Sequence, residues 1–230
     1  MESFVSMFRN SRWAGALLMS TLLVLTACSN DSERVPDTRG VYMLMDTSGT
    51  YTQELEQARR VINFTLAELK PRDSFAVARV DTGSFSEKDI VTKATFDSRP
   101  SVSNEQKRIF QAGITSFLKE VKSSTHTGIT GGVLQAIEYL NETGAGHKTI
   151  LVFSDMKEDL REGYVRDEIP LLLSGYRVVA LNVTKLRADN VDPRNSLDRI
   201  DSWKQRVEAG GGEWQVVNDL ERLVFCWRGE

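Results

Sequence analysis

The residues best placed to do chemistry are Asp46, Ser48 and Thr50, one carboxylate and two alternate hydroxyls in Asp46-Thr47-Ser48-Gly49-Thr50. They follow directly on the strand-like run Gly40-Val41-Tyr42-Met43-Leu44-Met45, where the chain must turn. Ligands of an open parallel sheet collect at the carboxyl ends of its strands, and hard oxygen donors there suit Mg²⁺ or a similarly hard cation. A second carboxylate, Asp155, closes the apolar run Ile150-Leu151-Val152-Phe153-Ser154. Two uses are open for a cation held at such strand ends: it holds a partner, or it does chemistry.

The elements that must position these residues alternate between strand-like and helix-like periods, which predicts an α/β sheet covered on both faces. Residues 52–69 place Leu55, Ala58, Val61, Ile62, Leu66 and Leu69 at three- and four-residue steps, an amphipathic helix ended by Lys70-Pro71. Two β-rich runs follow, Ser74 to Val80 and Ile90 to Phe96, with Asp81-Thr82-Gly83-Ser84 between them. So short a link predicts a hairpin and an antiparallel edge strand, because a parallel crossover needs about a dozen residues or more. Helices are expected over about 103–121 and 130–141. Lys148 to Ser154 reads as a central parallel strand, apolar on both faces. Further on, the pattern predicts a helix near 163–174, a strand from Arg177 to Val183 and a helix over 196–209. The stop Gly210-Gly211-Gly212, a strand from Glu213 to Val217 and a short helix from Asp219 complete the chain.

With these elements in place the sequence resembles the von Willebrand factor A family over nearly all of the chain beyond its N-terminal segment. That family's metal-ion-dependent adhesion site is written D-x-S-x-S, then a distant Thr, then a distant Asp. Asp46-Thr47-Ser48-Gly49-Thr50 corresponds to the first part, with Thr50 in place of the second serine. Thr127-Gly128-Ile129-Thr130-Gly131-Gly132-Val133 resembles the form T-D-I-x-G-A-L, which makes Thr127 the threonine ligand ahead of Thr125 and Thr130. Asp155 corresponds to the final aspartate, followed by Met156 where glycine is common. The resemblance implies a doubly wound, mostly parallel α/β sheet with one antiparallel edge strand and helices on both faces. It also implies a site for Mg²⁺, with Mn²⁺ or Ca²⁺ as alternatives, in which Ser48, Thr50 and Thr127 bind through neutral hydroxyls while Asp46 and Asp155 act mainly through water. The incompletely neutralised cation then attracts a carboxylate of a partner protein. On this reading the chain is a binding or scaffolding module and not an enzyme.

Two alternatives are open. A metal-free member of the same family would use Ser48 or Thr50, and Thr127, only to cap the helices that follow. The other alternative is a haloacid-dehalogenase-like phosphatase, a family with D-x-D-x-T after its first strand and a later D-x-x-x-D, which Asp155-Met156-Lys157-Glu158-Asp159 matches. Its general acid would fall at Ser48, whose hydroxyl does not serve as an acid near neutral pH.

The first 27 residues read as an address. Arg9 and Arg12 precede an apolar stretch of 15 residues, Trp13 to Ala27, shorter than the roughly 20 that span a bilayer. Its end, Leu25-Thr26-Ala27-Cys28, resembles a bacterial lipoprotein signal. The resemblance implies that Cys28 is lipidated and anchors an extracytoplasmic domain to the cell envelope, at the outer membrane if the cell is Gram-negative. Cys28 and a polar tether occupy 28–39, and the folded domain spans 40–230. Cys226, among Leu223, Val224, Phe225 and Trp227, is then a buried hydrophobe without a disulfide partner.

Of 29 basic and 32 acidic residues, removing 1–27 takes Arg9, Arg12 and Glu2 and leaves a formal charge of −4. With basic residues dispersed among acids, nothing points to nucleic acid. His126 and His147 are too isolated for a zinc site, Trp203 and Trp214 are expected in the core, and Lys157 to Arg161 reads as a solvated loop.

Overall fold

The computed structural model describes residues 35–48, 54–80, 86–160, 162–163, 166, 169–183, 194–218 and 223. The chain divides into units Met1–Val35 and Pro36–Glu230, and the sheet lies in the second. Strand β1 (Arg39–Asp46) is buried on both faces: Val41, Met43 and Met45 enter one core, Tyr42 and Leu44 the other. Such an uninterrupted apolar strand belongs at the centre of a parallel sheet. It pairs in parallel with β2 (Ser74–Val80) on one side and β4 (His147–Phe153) on the other. Beyond β4 lie β5 (Tyr176–Leu181) and β6 (Glu213–Val217), both parallel, and β3 (Ile90–Thr95) pairs antiparallel with β2 at the opposite edge. The order is β3-β2-β1-β4-β5-β6.

Helices cover both faces, as expected of the α/β class. On one face α1 (Leu55–Glu68) and α2 (Pro100–Glu120) bury Ala58, Val61, Ile62, Phe110 and Ile114 against the odd-numbered side of β1. On the other, α3 (Ile129–Glu142) and α4 (Arg194–Ala209) bury Ile129, Val133, Ala136, Trp203 and Val207. Helix α3 sits unusually close to β1 because residue 132 is glycine. A Cβ there would lie 2.6 Å from Leu44 Cδ2, nearer than real contacts allow.

Most expected elements are present with shifted ends. The helix expected from about 103 starts at Pro100, at a first-turn position where the missing N–H of proline costs nothing. Strand β1 begins at Arg39, inside the segment assigned to the tether. The hairpin link runs from 81 to 89 and contains a 3-10 turn at Glu87–Asp89, longer than four residues, yet β3 is antiparallel as predicted.

One expectation fails. Near 163–174 no described residue is helical. Pro170 cannot donate to a helix and disfavours the helical region for Ile169. The three leucines that follow alternate instead: Leu171 and Leu173 are buried while Leu172 is 76% exposed. Leu173 N–H donates to Gly210 O at 2.8 Å, a close approach that Gly210 permits, since a Cβ there would stand 2.0 Å from Leu171 O.

Asp81, Cys28, Cys226 and most of the expected final helix lie outside the described residues, Leu223 being the described helical one. Among the described residues no helix is long and apolar enough to cross a membrane.

Candidate functional site

Parallel pairing brings the first and third segments of the proposed motif together. Met45 is registered with Phe153, so Asp46 and Ser154 leave the sheet side by side. Ser154 Oγ donates to Asp46 Oδ2 at 2.8 Å, while Asp46 Oδ1 accepts the Ser48 N–H at 2.8 Å. Asp46 is therefore buried with a hydrogen bond to each carboxylate oxygen. The second bond folds the chain back over the strand end, as an aspartate at the start of a turn does.

The loop between α2 and α3 is stitched to both. Ser124 N–H donates to Thr47 O at 2.9 Å, forming an isolated bridge between Ser124 and Ser48. Thr127 and Asp159 exchange two backbone hydrogen bonds, each 2.8 Å. Thr127 and Thr130 are both buried, and of the two Thr127 has a hydroxyl with no hydrogen-bond partner among the described residues. Thr125 is exposed, and Thr130 is committed elsewhere.

Asp155 lies two residues past the end of β4, one further than expected. It is buried, Oδ1 accepts the Lys157 N–H at 2.7 Å, and Oδ2 accepts no hydrogen bond among the described residues. Burial pushes its pKa above the ordinary aspartate value; the Lys157 N–H opposes the shift, the neighbouring Asp46 charge adds to it, and Arg199 and Lys157 oppose it. Neither Asp46 nor Asp155 forms an ion pair among the described residues. Asp155 thus keeps a carboxylate oxygen without a hydrogen bond among the described residues while burial and the neighbouring Asp46 charge disfavour its ionised form.

Behind the site is a polar brace that the sequence reading took for a solvated loop. Helix α3 starts after Gly128, which has no side chain to cap it. Glu158 does so from the β4–β5 connection: its carboxylate accepts the Thr130 N–H at 2.7 Å and the Thr130 hydroxyl at 2.8 Å. Arg206 of α4 stands 3.7 Å from that carboxylate, donates to Thr130 Oγ1 at 3.1 Å and stacks over Trp203. Trp203 Nε1 donates to Met156 O, and Arg199 Nε to Asp155 O, both at 2.9 Å. Met156 itself is buried with φ of +64°, the left-handed region that explains why glycine suits this position. Helix α4 therefore grips the peptide carbonyls of Asp155 and Met156 beyond the end of β4.

His126 and His147 are apart, His126 in the α2–α3 loop and His147 at the first residue of β4. Trp203 is buried, and Trp214 packs half-buried against the same core. Thr50 lies outside the described residues, so Asp46, Ser48, Thr127 and Asp155 are the site positions the structure describes.

The donors fit a hard cation in kind. The candidate ligand atoms are all oxygen, and one Asp155 carboxylate oxygen and the Thr127 hydroxyl make no hydrogen bond among the described residues. Among the described residues no three His, Cys, Asp or Glu side chains converge. A site of two carboxylates and several hydroxyls does not require that they do.

No protein-family model matches the chain, and neither does any curated protein. Solved structures do. A von Willebrand factor type A protein from Catenulispora acidiphila superposes with a TM-score of 0.54 at 12% identity, over 84% of this chain and 41% of that one. The open conformation of the pilus adhesin SpaC from Lactobacillus rhamnosus GG does so with a TM-score of 0.54 at 10% identity, over 84% of this chain and 29% of that one. The chain thus spans less than half the length of either. At such identities the likeness is one of fold: a six-stranded, mostly parallel sheet with one antiparallel edge. The chain has the fold of the von Willebrand factor type A domains.

Proposed function

We propose that this protein is a binding module that holds Mg²⁺, or Mn²⁺ or Ca²⁺ in its place, through Asp46, Ser48, Thr50, Thr127 and Asp155, and engages an exposed carboxylate of a partner protein. The observation that carries this reading is the pair of carboxylates, Asp46 and Asp155, buried at the ends of neighbouring strands without a salt-bridged partner among the described residues. When bound, the cation supplies positive charge that neutral hydroxyls leave incompletely quenched. The chain's own residues do the rest: Asp46 orients the Ser48 turn, and the Thr127–Asp159 bridge holds the second segment against the third. The likeness in fold to a pilus adhesin supports a role in adhesion or scaffolding outside the cytoplasm. Lipidation of Cys28, and with it anchoring of the domain to the bacterial cell envelope, belongs to the same proposal. No enzymatic step is assigned, because Ser48 occupies the place where a phosphatase of the alternative kind needs an acid.

A metal-free interaction domain is the second reading. It is favoured by the hydrogen bonds that already engage both oxygens of Asp46. Thermal unfolding with and without divalent cation separates the two. Millimolar Mg²⁺ or Mn²⁺ should raise the melting temperature of the wild type and leave Asp46→Ala unmoved; equal melting with and without either ion supports the second reading.

A further inference from the structure

Ser154 belongs to none of the motif positions, yet its hydroxyl joins two of them. It is fully buried at the end of β4. Its single proton goes to Asp46 Oδ2 at 2.8 Å, across 108 residues of sequence, and its oxygen accepts the Met156 N–H at 3.1 Å. One side therefore fixes the rotation of the Asp46 carboxylate, whose other oxygen holds the Ser48 N–H. The other side closes the turn that carries Asp155, between the end of β4 and a Met156 held at φ of +64°. Arg199 and Trp203 hold the Asp155 and Met156 carbonyls of that same turn, and the Met156 N–H ties it through Ser154 Oγ to the first segment.

We infer that Ser154 is a positioning residue that couples the Asp46 segment to the Asp155 turn, so that the two carboxylates are set for a cation as one unit. The inference rests on the metal-binding reading above, but the coupling is also a property of the protein without metal. Alanine at 154 removes the proton that Asp46 Oδ2 accepts and the acceptor that Met156 N–H requires. Threonine keeps both functions.

The test uses the full-length protein, Mn²⁺ as the probe, and three variants: Ser154→Ala, Ser154→Thr and Leu140→Ala. Leu140 is buried but lies beside Gly40 at the start of β1, the end of the sheet away from Asp46, and controls for destabilisation alone. Two quantities are read, the Mn²⁺ affinity and the amide exchange rates of Ser48 and Met156 in metal-free protein. Ser154→Ala should weaken Mn²⁺ about tenfold, the effect of losing one well-placed hydrogen bond to a charged group, and should speed exchange at both amides. Ser154→Thr should restore both, and Leu140→Ala should change neither. Wild-type affinity in Ser154→Ala, or an equal loss in Leu140→Ala, would overturn the inference. A wild type that binds no Mn²⁺ refutes the metal reading; unchanged exchange at Ser48 in Ser154→Ala refutes the coupling.

Discussion

Removing the Glu158 carboxylate should destabilise the domain through a helix to which Glu158 does not belong. Helix α3 begins at Ile129 after Gly128, and no side chain of its own caps it. The Thr130 N–H, one of the donors left unpaired at any helix start, is satisfied by Glu158 at 2.7 Å, and the Thr130 hydroxyl by the same carboxylate at 2.8 Å. Losing a cap costs about 0.5–2 kcal/mol. The guanidinium of Arg206, 3.7 Å away and mostly buried, loses its counter-charge as well. A hydrogen bond to a charged group is worth about 1.5–3 kcal/mol, so Glu158→Ala should cost about 2–3 kcal/mol in all. For a domain of this size each kcal/mol lowers the melting temperature by about 2–4 °C, which puts the expected shift at roughly 4–12 °C. Glu158→Gln keeps an acceptor and loses the charge, and should lose about half as much. Urea unfolding of Glu158→Ala, Thr130→Ala and the double variant measures the coupling directly. Additive losses would show that the Thr130 hydroxyl is not coupled to Glu158, and a Glu158→Ala change within about 0.5 kcal/mol of zero, as for an ordinary surface site, would show that the brace contributes nothing.

Three further outcomes are expected. Gly132→Ala should cost about 1–3 kcal/mol in chemical unfolding, the range for overpacking a close-fitted core, because its Cβ would stand 2.6 Å from Leu44 Cδ2; Leu44→Ala in the same chain should recover part of that loss. The Asp155 carboxyl, raised by burial, holds its proton more tightly folded than unfolded, so its contribution to stability is full below the ordinary aspartate value of 3.8 and is lost as pH rises through the higher folded value. Without divalent cation, Asp155→Asn should therefore gain stability relative to wild type as pH rises through that window, and a difference that stays flat with pH in thermal melts would contradict the assignment. Met156→Val places a β-branched residue at φ of +64°, which such residues tolerate less well than methionine, and should lower stability in chemical unfolding by about 1 kcal/mol.

What was legible in the sequence depended on how local its cause is. Strands β2 and β6 were read at their observed bounds because their composition and flanking turn residues decide them. Helix α1 was legible from apolar steps of three and four. The segment 163–174 misled because Leu171-Leu172-Leu173 satisfies a helical stripe as well as an alternating one, and the decisive contact is with Gly210, far along the chain. At the site, Asp46, Ser48, Thr127 and Asp155 are brought to one end of the sheet by β1–β4 pairing and two isolated bridges. Ser154 and Glu158 were missed for one reason. Their partners, Asp46 and Thr130, lie 108 and 28 residues away, and no spacing rule announces such contacts. Glu158 carried one faint signal: a glycine at a helix start leaves an uncapped end that some other residue must serve.

On the proposed reading Asp46 and Asp155, buried at neighbouring strand ends without a salt-bridged partner among the described residues, receive a cation. Direct titration of the protein with Mn²⁺, followed by its paramagnetic signal at neutral pH, tests this most plainly. One saturable site per chain is expected, lost in Asp46→Ala, weakened in Asp155→Asn and displaced by Mg²⁺. Absence of a saturable site in the wild type, or a site that survives Asp46→Ala, would contradict that reading.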